Sequence, residues 1–141
     1  MKKIILLIAN LLIACSTIVA VDTLPLPCAY VASIGKDSRH HQTAFIIKDF
    51  LNKPYKVKVD FGEGNSLKCP IKVYSFSVVV GEKVINCKGN TISKEVKNAI
   101  KMENQNITMR ITEIRAIYNG NRIVLAPLTI ELLDEVSFHQ R

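Results

Sequence analysis

The sequence has no tryptophan, and its aromatic residues are limited to five phenylalanines and four tyrosines. Most of these rings occupy inward positions of predicted strands, which argues against an exposed aromatic platform for stacking sugars. No internal repeat and no low-complexity segment is present, so a repeat architecture or a compositionally biased disordered chain is not expected. What remains is the pattern of an ordinary globular domain.

The short motifs of common catalytic and phosphate-binding sites are also absent. No GxSxG elbow occurs, and Gly62-Glu63-Gly64 is followed by no Lys-Ser/Thr pair, so it predicts a turn and not a phosphate loop. The adjacent carboxylates Asp134 and Glu135 lie at a strand end, whereas paired catalytic carboxylates usually come from separate elements facing one cleft. We therefore expect no catalytic residues, no enzymatic activity and no cofactor.

Histidine is scarce, with three residues, and only His40 and His41, close to Asp37, suggest a metal site. Adjacent histidines on a strand point to opposite faces, so both can reach one ion only from a loop. No CxxC or Cys/His spacing of a zinc site is present. The favoured interpretation is a solvated loop with no metal. The alternative is a small periplasmic metal-dependent hydrolase centred on Asp37, His40 and His41.

Charge is unbalanced but dispersed. The chain has 19 Lys and Arg against 12 Asp and Glu, a formal net charge of +7, and apart from Lys2-Lys3 its cations occur singly, with acidic residues interleaved along the chain. A nucleic-acid site would cluster its cations and often interleave exposed aromatic residues. The pattern therefore indicates solvated strand faces and no nucleic-acid partner.

The longest apolar run lies at the N-terminus, in MKKIILLIANLLIACSTIVA. Lysines followed by an apolar stretch too short to span a bilayer comfortably are typical of a secretory signal peptide. Two processing interpretations stay open: removal of residues 1–20 after Ala20, or a lipoprotein signal over residues 1–14 with Cys15 as the lipid attachment site. Both predict an exported protein, periplasmic or associated with the outer membrane, that contacts a membrane only through such an anchor.

Four cysteines are present, and setting Cys15 aside leaves Cys28, Cys69 and Cys87. An oxidising compartment permits a disulfide, but three thiols cannot all pair within one chain. One internal disulfide among these three is compatible with the sequence, which does not select the partners. About 120 residues follow the signal, the usual size of one domain with a modest core, so residues 21–141 are predicted to form a single domain.

Alternation of apolar and polar residues with a period of two predicts most of the strands. The clearest run is Tyr55 to Phe61, and the run from Lys68 to Val80 is predicted to place Tyr74, Phe76, Val78 and Val80 on one face. Gly81-Glu82 then lets the chain reverse into a strand over residues 83–87. Earlier strands are predicted over residues 29–35 and 43–51, although the second of these could also form a helical turn.

Between Asn90 and Glu103 the period becomes that of a helix, with Ser93 as its N-cap, which predicts one short connecting helix over about residues 93–103. A later strand slips by one residue near Thr112-Glu113, which predicts a β-bulge. Asn119-Gly120 between two apolar runs predicts a hairpin, and Leu128, Ile130 and Leu132 are predicted to face inward on the last strand. Six to eight strands with one helix predict a mainly β fold, an antiparallel β-sandwich.

The order of these elements resembles the C-terminal domains of GldM, a periplasmic gliding-motility and type IX secretion protein of Bacteroidetes. The similar motifs are Val73-Tyr74-Ser75-Phe76-Ser77-Val78, the helical link, Ile114-Arg115-Ala116, Asn119-Gly120 and Pro127, within about residues 29–133. The resemblance implies an immunoglobulin-like β-sandwich that serves as a non-catalytic, dimerising segment of a periplasmic shaft.

For this chain the resemblance implies a stand-alone, single-domain relative. We expect an exported structural or protein-binding module, with a protein partner or a homo-oligomer, associated with gliding motility or type IX secretion machinery. A lipid-anchored surface adhesin or inhibitor is a further alternative, in which Cys15 would hold the anchor.

Overall fold

The computed structural model describes residues 27–34, 42–61 and 70–141. The strands are β1 (Cys28–Ser33), β2 (Ala44–Ile46), β3 (Tyr55–Asp60), β4 (Lys72–Val80), β5 (Lys83–Lys88), β6 (Ile107–Tyr118), β7 (Asn121–Leu125) and β8 (Leu128–Leu133). The helices are α1 (Ile47–Asn52), α2 (Lys94–Glu103) and α3 (Glu135–His139), and none of them has the length and apolar character needed to cross a bilayer. The prediction of a mainly β protein is confirmed.

The strands form two sheets. β1 and β3 make an antiparallel pair, and the others make a six-stranded sheet in the order β2-β8-β6-β4-β5. The sixth strand, β7, pairs with the second half of β6, whereas β8 pairs with its first half. β2 and β5 lie at opposite ends of this order.

The prediction of a wholly antiparallel arrangement is wrong at one edge, where β2 runs parallel to β8. A tight hairpin forces two consecutive strands to be antiparallel, but no hairpin links these two, which are far apart along the chain. Their relative direction is therefore set by how the whole chain packs, and local sequence carries no signal for it.

The prediction of a single helix is also wrong, since the described residues contain three. Residues 43–51 divide into β2 and α1. A continuous strand would put Phe45 and Phe50 on opposite faces, because they are five residues apart. The helical turn instead brings both rings into the core beside Tyr55, with ring centroids 5.6 Å apart for Phe45–Phe50 and 4.6 Å apart for Phe50–Tyr55.

The connecting helix α2 is confirmed. The Ser93 side chain accepts a hydrogen bond from the Val96 N–H at 3.3 Å, which caps the helix N-terminus. At the other end Asn104 adopts a left-handed conformation, with φ 51°, and ends the helix. Because β5 and β6 both flank β4, α2 carries the chain across β4.

One hydrophobic core joins both sheets and α2. β3 is tied to the segment before α2 by backbone hydrogen bonds from the Val57 N–H to the Asn90 carbonyl, 2.7 Å, and from the Ile92 N–H to the Tyr55 carbonyl, 3.0 Å. We call the side of the six-stranded sheet that faces this core the inner face, and the opposite side the outer face. Residues of the inner face that are at most 2% exposed include Phe76, Val78, Val80, Met109, Ile111, Ile114, Ala116, Ile130 and Leu132.

The predicted bulge near Thr112-Glu113 is confirmed, and a second bulge lies opposite it. The pairs Val73–Ala116 and Ser75–Arg115 leave Tyr74 as an extra residue on β4. Past this point Ser77 pairs with Thr112, so the extra residue is now on β6, and Glu113 has a positive φ of 50°. The two bulges cancel, so the register beyond them is the same as before.

The β4 bulge corrects one predicted side-chain direction. Tyr74 was expected to face the core, but it is only partly buried, and Val73 takes the inner position at 9% exposed. The extra residue shifts the alternation by one, so Val73 and Phe76 face inward although they are three residues apart. Ile111 and Ile114 do the same on β6.

The predicted Asn-Gly hairpin is confirmed. Tyr118 pairs with Asn121, so Asn119 and Gly120 form the turn, and their φ values are 50° and 77°. Positive φ at both central positions is the requirement of the turn type that best fits the twist of two hairpin strands. Asn and Gly tolerate it better than other residues, which is why this dipeptide predicts the turn.

Candidate functional site: the outer face of the six-stranded sheet

The outer face of β4, β5, β6 and β7 carries large apolar side chains in contact with solvent. Val84 is 65% exposed on β5, Ile117 is 42% exposed on β6 and Val124 is 70% exposed on β7. Ile117 and Val124 are diagonal neighbours, because Arg115 pairs with Val124 and Ile117 pairs with Arg122. Strand positions facing water are commonly polar, so these aliphatic residues mark the outer face as different from a simple solvated surface.

The same face gathers cations from four strands. Ser75 lies between Lys88 on one neighbouring strand and Arg115 on the other, which places these two cations roughly 10 Å apart across β4. Lys72 pairs with Ile117, and Arg110 pairs with Val79. We call the set the cationic face, and its members are all exposed: Lys72, Lys88, Arg110, Arg115 and Arg122.

These five cations form no ion pair with any residue in the described part of the chain. The ion pairs found there join Lys53 to Asp49 and Arg141 to Glu131. Glu131 lies on the outer face of β8, so that end of the face is neutralised by the C-terminal residue. The end formed by β4 to β7 keeps its positive charge.

A single carboxylate lies near the centre of the cationic face. Glu113 reaches across to Ser77, whose hydroxyl is 3.3 Å from Glu113 Oε2 and 2.8 Å from Asn86 Oδ1. Ser77 is only 5% exposed, and its hydroxyl can donate one hydrogen to these two acceptors. The bulge at Glu113 therefore does more than shift the phase of β6, since it also places a carboxylate against β4. The sequence signal for the bulge gave no indication of this contact.

A separate groove of about 620 Å³ lies where α1, the C-terminal end of α2 and the start of α3 meet. Ile46, Ile47, Leu51 and Ile100 give it an apolar lining, and Lys48 and Lys101 lie among its polar residues. Asp134 and Glu135, the adjacent carboxylates noted in the sequence, also line it. The groove has charges of both signs, in contrast to the cationic face.

Asp134 in this groove serves as a helix cap. Its carboxylate accepts the Ser137 N–H at 2.6 Å, and its own N–H donates to Asn106 Oδ1 at 2.7 Å. The Asn106 amide in turn donates to Ser137 Oγ at 3.0 Å. The hydrogen bonds from Ser137, first from its backbone and then from its side chain, hold the pKa of Asp134 below its ordinary value. The arrangement orders α3, a helix that the sequence analysis did not predict.

The residues of the alternative metal site, Asp37, His40 and His41, lie outside the described residues. Within the ranges that the structure describes, no group of three or more His, Cys, Asp and Glu residues is placed to hold a metal ion. Residues 1–20, with the predicted cleavage after Ala20 and the lipid site at Cys15, also lie outside those ranges.

Two of the three cysteines considered for a disulfide are described. Cys87 is a free thiol on the inner face of β5, 3% exposed, with its Sγ 3.5 Å from Ser93 Oγ. Cys28 is exposed at the start of β1, and Cys69 lies outside the described residues. The disulfide among Cys28, Cys69 and Cys87 therefore stays a prediction.

The fold and its surfaces define the chain as a mainly β protein with a sheet that covers its core on one side and leaves a cationic, partly apolar face on the other. Comparison with protein-family models, curated proteins and solved structures finds no match.

Proposed function

We propose that this protein is an exported, non-catalytic module that binds a protein partner through the outer face of its six-stranded sheet. The observation that carries the proposal is the exposure of Val84, Ile117 and Val124 on that face, between 42% and 70%, among cations that form no ion pair with the described residues. Protein interfaces combine apolar residues near their centre with a polar rim, and arginine is enriched in them. Arg110, Arg115 and Arg122 give the outer face this composition.

The amino-acid sequence supports the export part of this proposal. The layout of residues 1–20 is that of a secretory signal, and processing at Cys15 would place the same module on a lipid anchor. The resemblance of residues 29–133 to the GldM domains supports a β-sandwich of immunoglobulin type and a structural role in an envelope machine for gliding motility or type IX secretion. A mixed sheet over a shared core, with β1 and β3 as a second layer, is compatible with such a sandwich.

The groove supports a structural role more readily than a catalytic one. The Asp134 carboxylate is engaged by the Ser137 N–H at the start of α3, where a carboxylate stabilises a helix. Its lowered pKa favours the charged form, which suits a hydrogen-bond acceptor and does not suit a general acid near neutral pH. We therefore place the function on the sheet face and not in this groove.

Photo-crosslinking in the native envelope tests the proposal. A photoreactive phenylalanine derivative would replace Val84 or Val124 on the outer face, or Lys48 or Asn98, which are exposed elsewhere. We expect the same protein, identified by mass spectrometry, to be linked from Val84 and Val124 and from neither control position. Adducts that form equally from all four positions, or none from the outer face, would refute the proposal.

A further inference from the structure

We infer that the outer face recognises an acidic stretch of its protein partner, and that Lys72, Lys88, Arg110, Arg115 and Arg122 form the recognition site. The inference rests on the proposed function and adds to it the chemistry of the partner.

The register determines the layout of the site. Lys88 and Arg115 flank Ser75, one on each side of β4, and Arg115 lies next to Val124 on β7. Arg122 and Lys72 flank Ile117 in the same way, on β7 and β4. Two rows of cations with an aliphatic residue in or beside each row therefore cross the strands. An acidic segment with occasional apolar residues would match both features.

The positive charge of the outer face favours a partner with negative charge. Cations about 10 Å apart lie near the Debye length at physiological ionic strength, so their potentials overlap over the face. Such a field attracts acidic groups and raises their rate of association. Arginine also binds a carboxylate through two parallel hydrogen bonds, which adds geometry to attraction. The Arg141–Glu131 ion pair at the β8 end joins a guanidinium to a carboxylate within the chain.

A second copy of the chain is a poor occupant of this face. A two-fold dimer applies the same surface of both subunits to each other. Cations would then oppose cations, because Glu131 on the outer face is already paired with Arg141 and Glu113 is a single carboxylate among five cations. Like charges placed across an interface are strongly unfavourable. The partner should therefore be a different protein or a different, acidic segment.

The exposed apolar residues argue for a protein over a nucleic acid. Single-stranded nucleic acids stack their bases on aromatic side chains, whereas Val84, Ile117 and Val124 are aliphatic. Polyanions of other classes, including heparin and phosphatidylglycerol vesicles, are therefore used as comparison ligands in the test.

The test is an NMR titration of isotope-labelled protein, purified from the periplasm, with a short poly-L-glutamate peptide. We expect shift changes concentrated in β4 to β7 and binding that weakens as ionic strength rises. The variant R110Q/R115Q removes two cations of the face, and we expect it to weaken binding about fivefold. The matched variant K48Q/K101Q removes two exposed cations at the groove, and we expect a change of less than about twofold.

The outcomes separate the inference from the proposed function. Equal weakening by the two double variants, shifts spread over the whole protein, or binding of heparin or vesicles but not of poly-L-glutamate would overturn the inference. If crosslinks from Val84 and Val124 nevertheless form, the proposed function stands even though the inference about an acidic partner is wrong. Localised poly-L-glutamate binding without any envelope crosslink would refute the proposed function, while the outer face would still be a binding site for acidic peptides. If the NMR spectrum of the free R110Q/R115Q variant shows that its structure has changed, the double variant Lys72→Gln/Lys88→Gln takes its place. It is compared with the same control, K48Q/K101Q.

Discussion

Both faces of the six-stranded sheet carry aliphatic residues, but these are buried on the inner face and exposed to solvent on the outer face. On β6, Ile114 is 0% exposed on the inner face, and Ile117, three residues later, is 42% exposed on the outer face. Between β4 and β5, Val78 is 0% exposed and Val84 is 65% exposed. The apolar residues of the inner face pack in the core, whereas those of the outer face lie among five cations. The difference indicates that the inner face is responsible for stability and the outer face is available for contacts with another molecule.

The largest expected effect comes from truncating matched isoleucines on the two faces. Ile114→Ala should lower the free energy of unfolding by about 2–5 kcal/mol, because it leaves a cavity in the core. Ile117→Ala should lower it by less than about 1 kcal/mol, since that side chain is partly in water already. Urea denaturation of both variants measures the difference. Equal losses would mean that the outer face is covered by other parts of the protein.

A second prediction concerns the two bulges that set the phase of the faces. Deleting Tyr74 or Glu113 alone should cost roughly 2 kcal/mol or more, because one strand then keeps a bulge without its counterpart. Deleting both should yield a regular ladder in which Val73, Phe76 and Ile114 still face inward. We therefore expect the double deletion to cost clearly less than the sum of the single deletions, a coupling that denaturation of the three variants measures. Simple additivity would contradict the compensation.

A smaller effect is expected from the polar cluster on the outer face. Ser77→Ala should lower stability by about 0.5–1.5 kcal/mol, since it removes the hydroxyl that contacts Asn86 and Glu113. The matched change Ser75→Ala affects the same face of β4, at a serine with no side-chain hydrogen bond to the described residues, and should cost less. Thermal unfolding of both variants compares them. A larger loss for Ser75→Ala would show that the cluster around Glu113 does not stabilise the sheet.

The smallest effect lies outside both faces, at the cap of α3. The folded-state pKa of Asp134 is lowered, so its contribution to stability is present above the ordinary carboxyl pKa and is lost as pH falls through the lowered value. Asp134→Ala should therefore melt below the parent protein at about pH 7, and the gap should narrow at about pH 2. Melting curves at the two pH values test this. A gap that widens on acidification would contradict the assigned direction.

Local patterns predicted the elements whose structure depends on near neighbours. Three features could be predicted because each depends on a few consecutive residues. They are the cap of α2 at Ser93, the hairpin turn at Asn119-Gly120 and the bulge at Glu113. Tyr74 was misassigned because the bulge on β4 depends on the strand opposite it. For residues 43–51 the sequence left a strand and a helical turn as alternatives and did not predict the division into both, because the clustering of Phe45, Phe50 and Tyr55 depends on tertiary packing.

The candidate site could be predicted less well than the fold. Asp37, His40 and His41 drew attention as a chemically distinctive cluster, whereas the cationic face consists of ordinary residues spaced singly between positions 72 and 122. Nothing in the spacing of Lys88 and Arg115 indicates that they flank the same residue of β4, Ser75. The relevant signal would have been strand register, which a single sequence specifies only weakly for pairs that no hairpin connects.

By itself, the sequence determined the mainly β character, the alternation along most strands and the turn at Asn119-Gly120, because these follow from local chemistry and from the conformational preferences of individual residues. The tertiary structure decided the parallel pairing of β2 with β8, the inward position of Val73 and the collection of five dispersed cations on one face. Each of these depends on which strands become neighbours, a result of packing the whole core, and no local stretch of the chain encodes it.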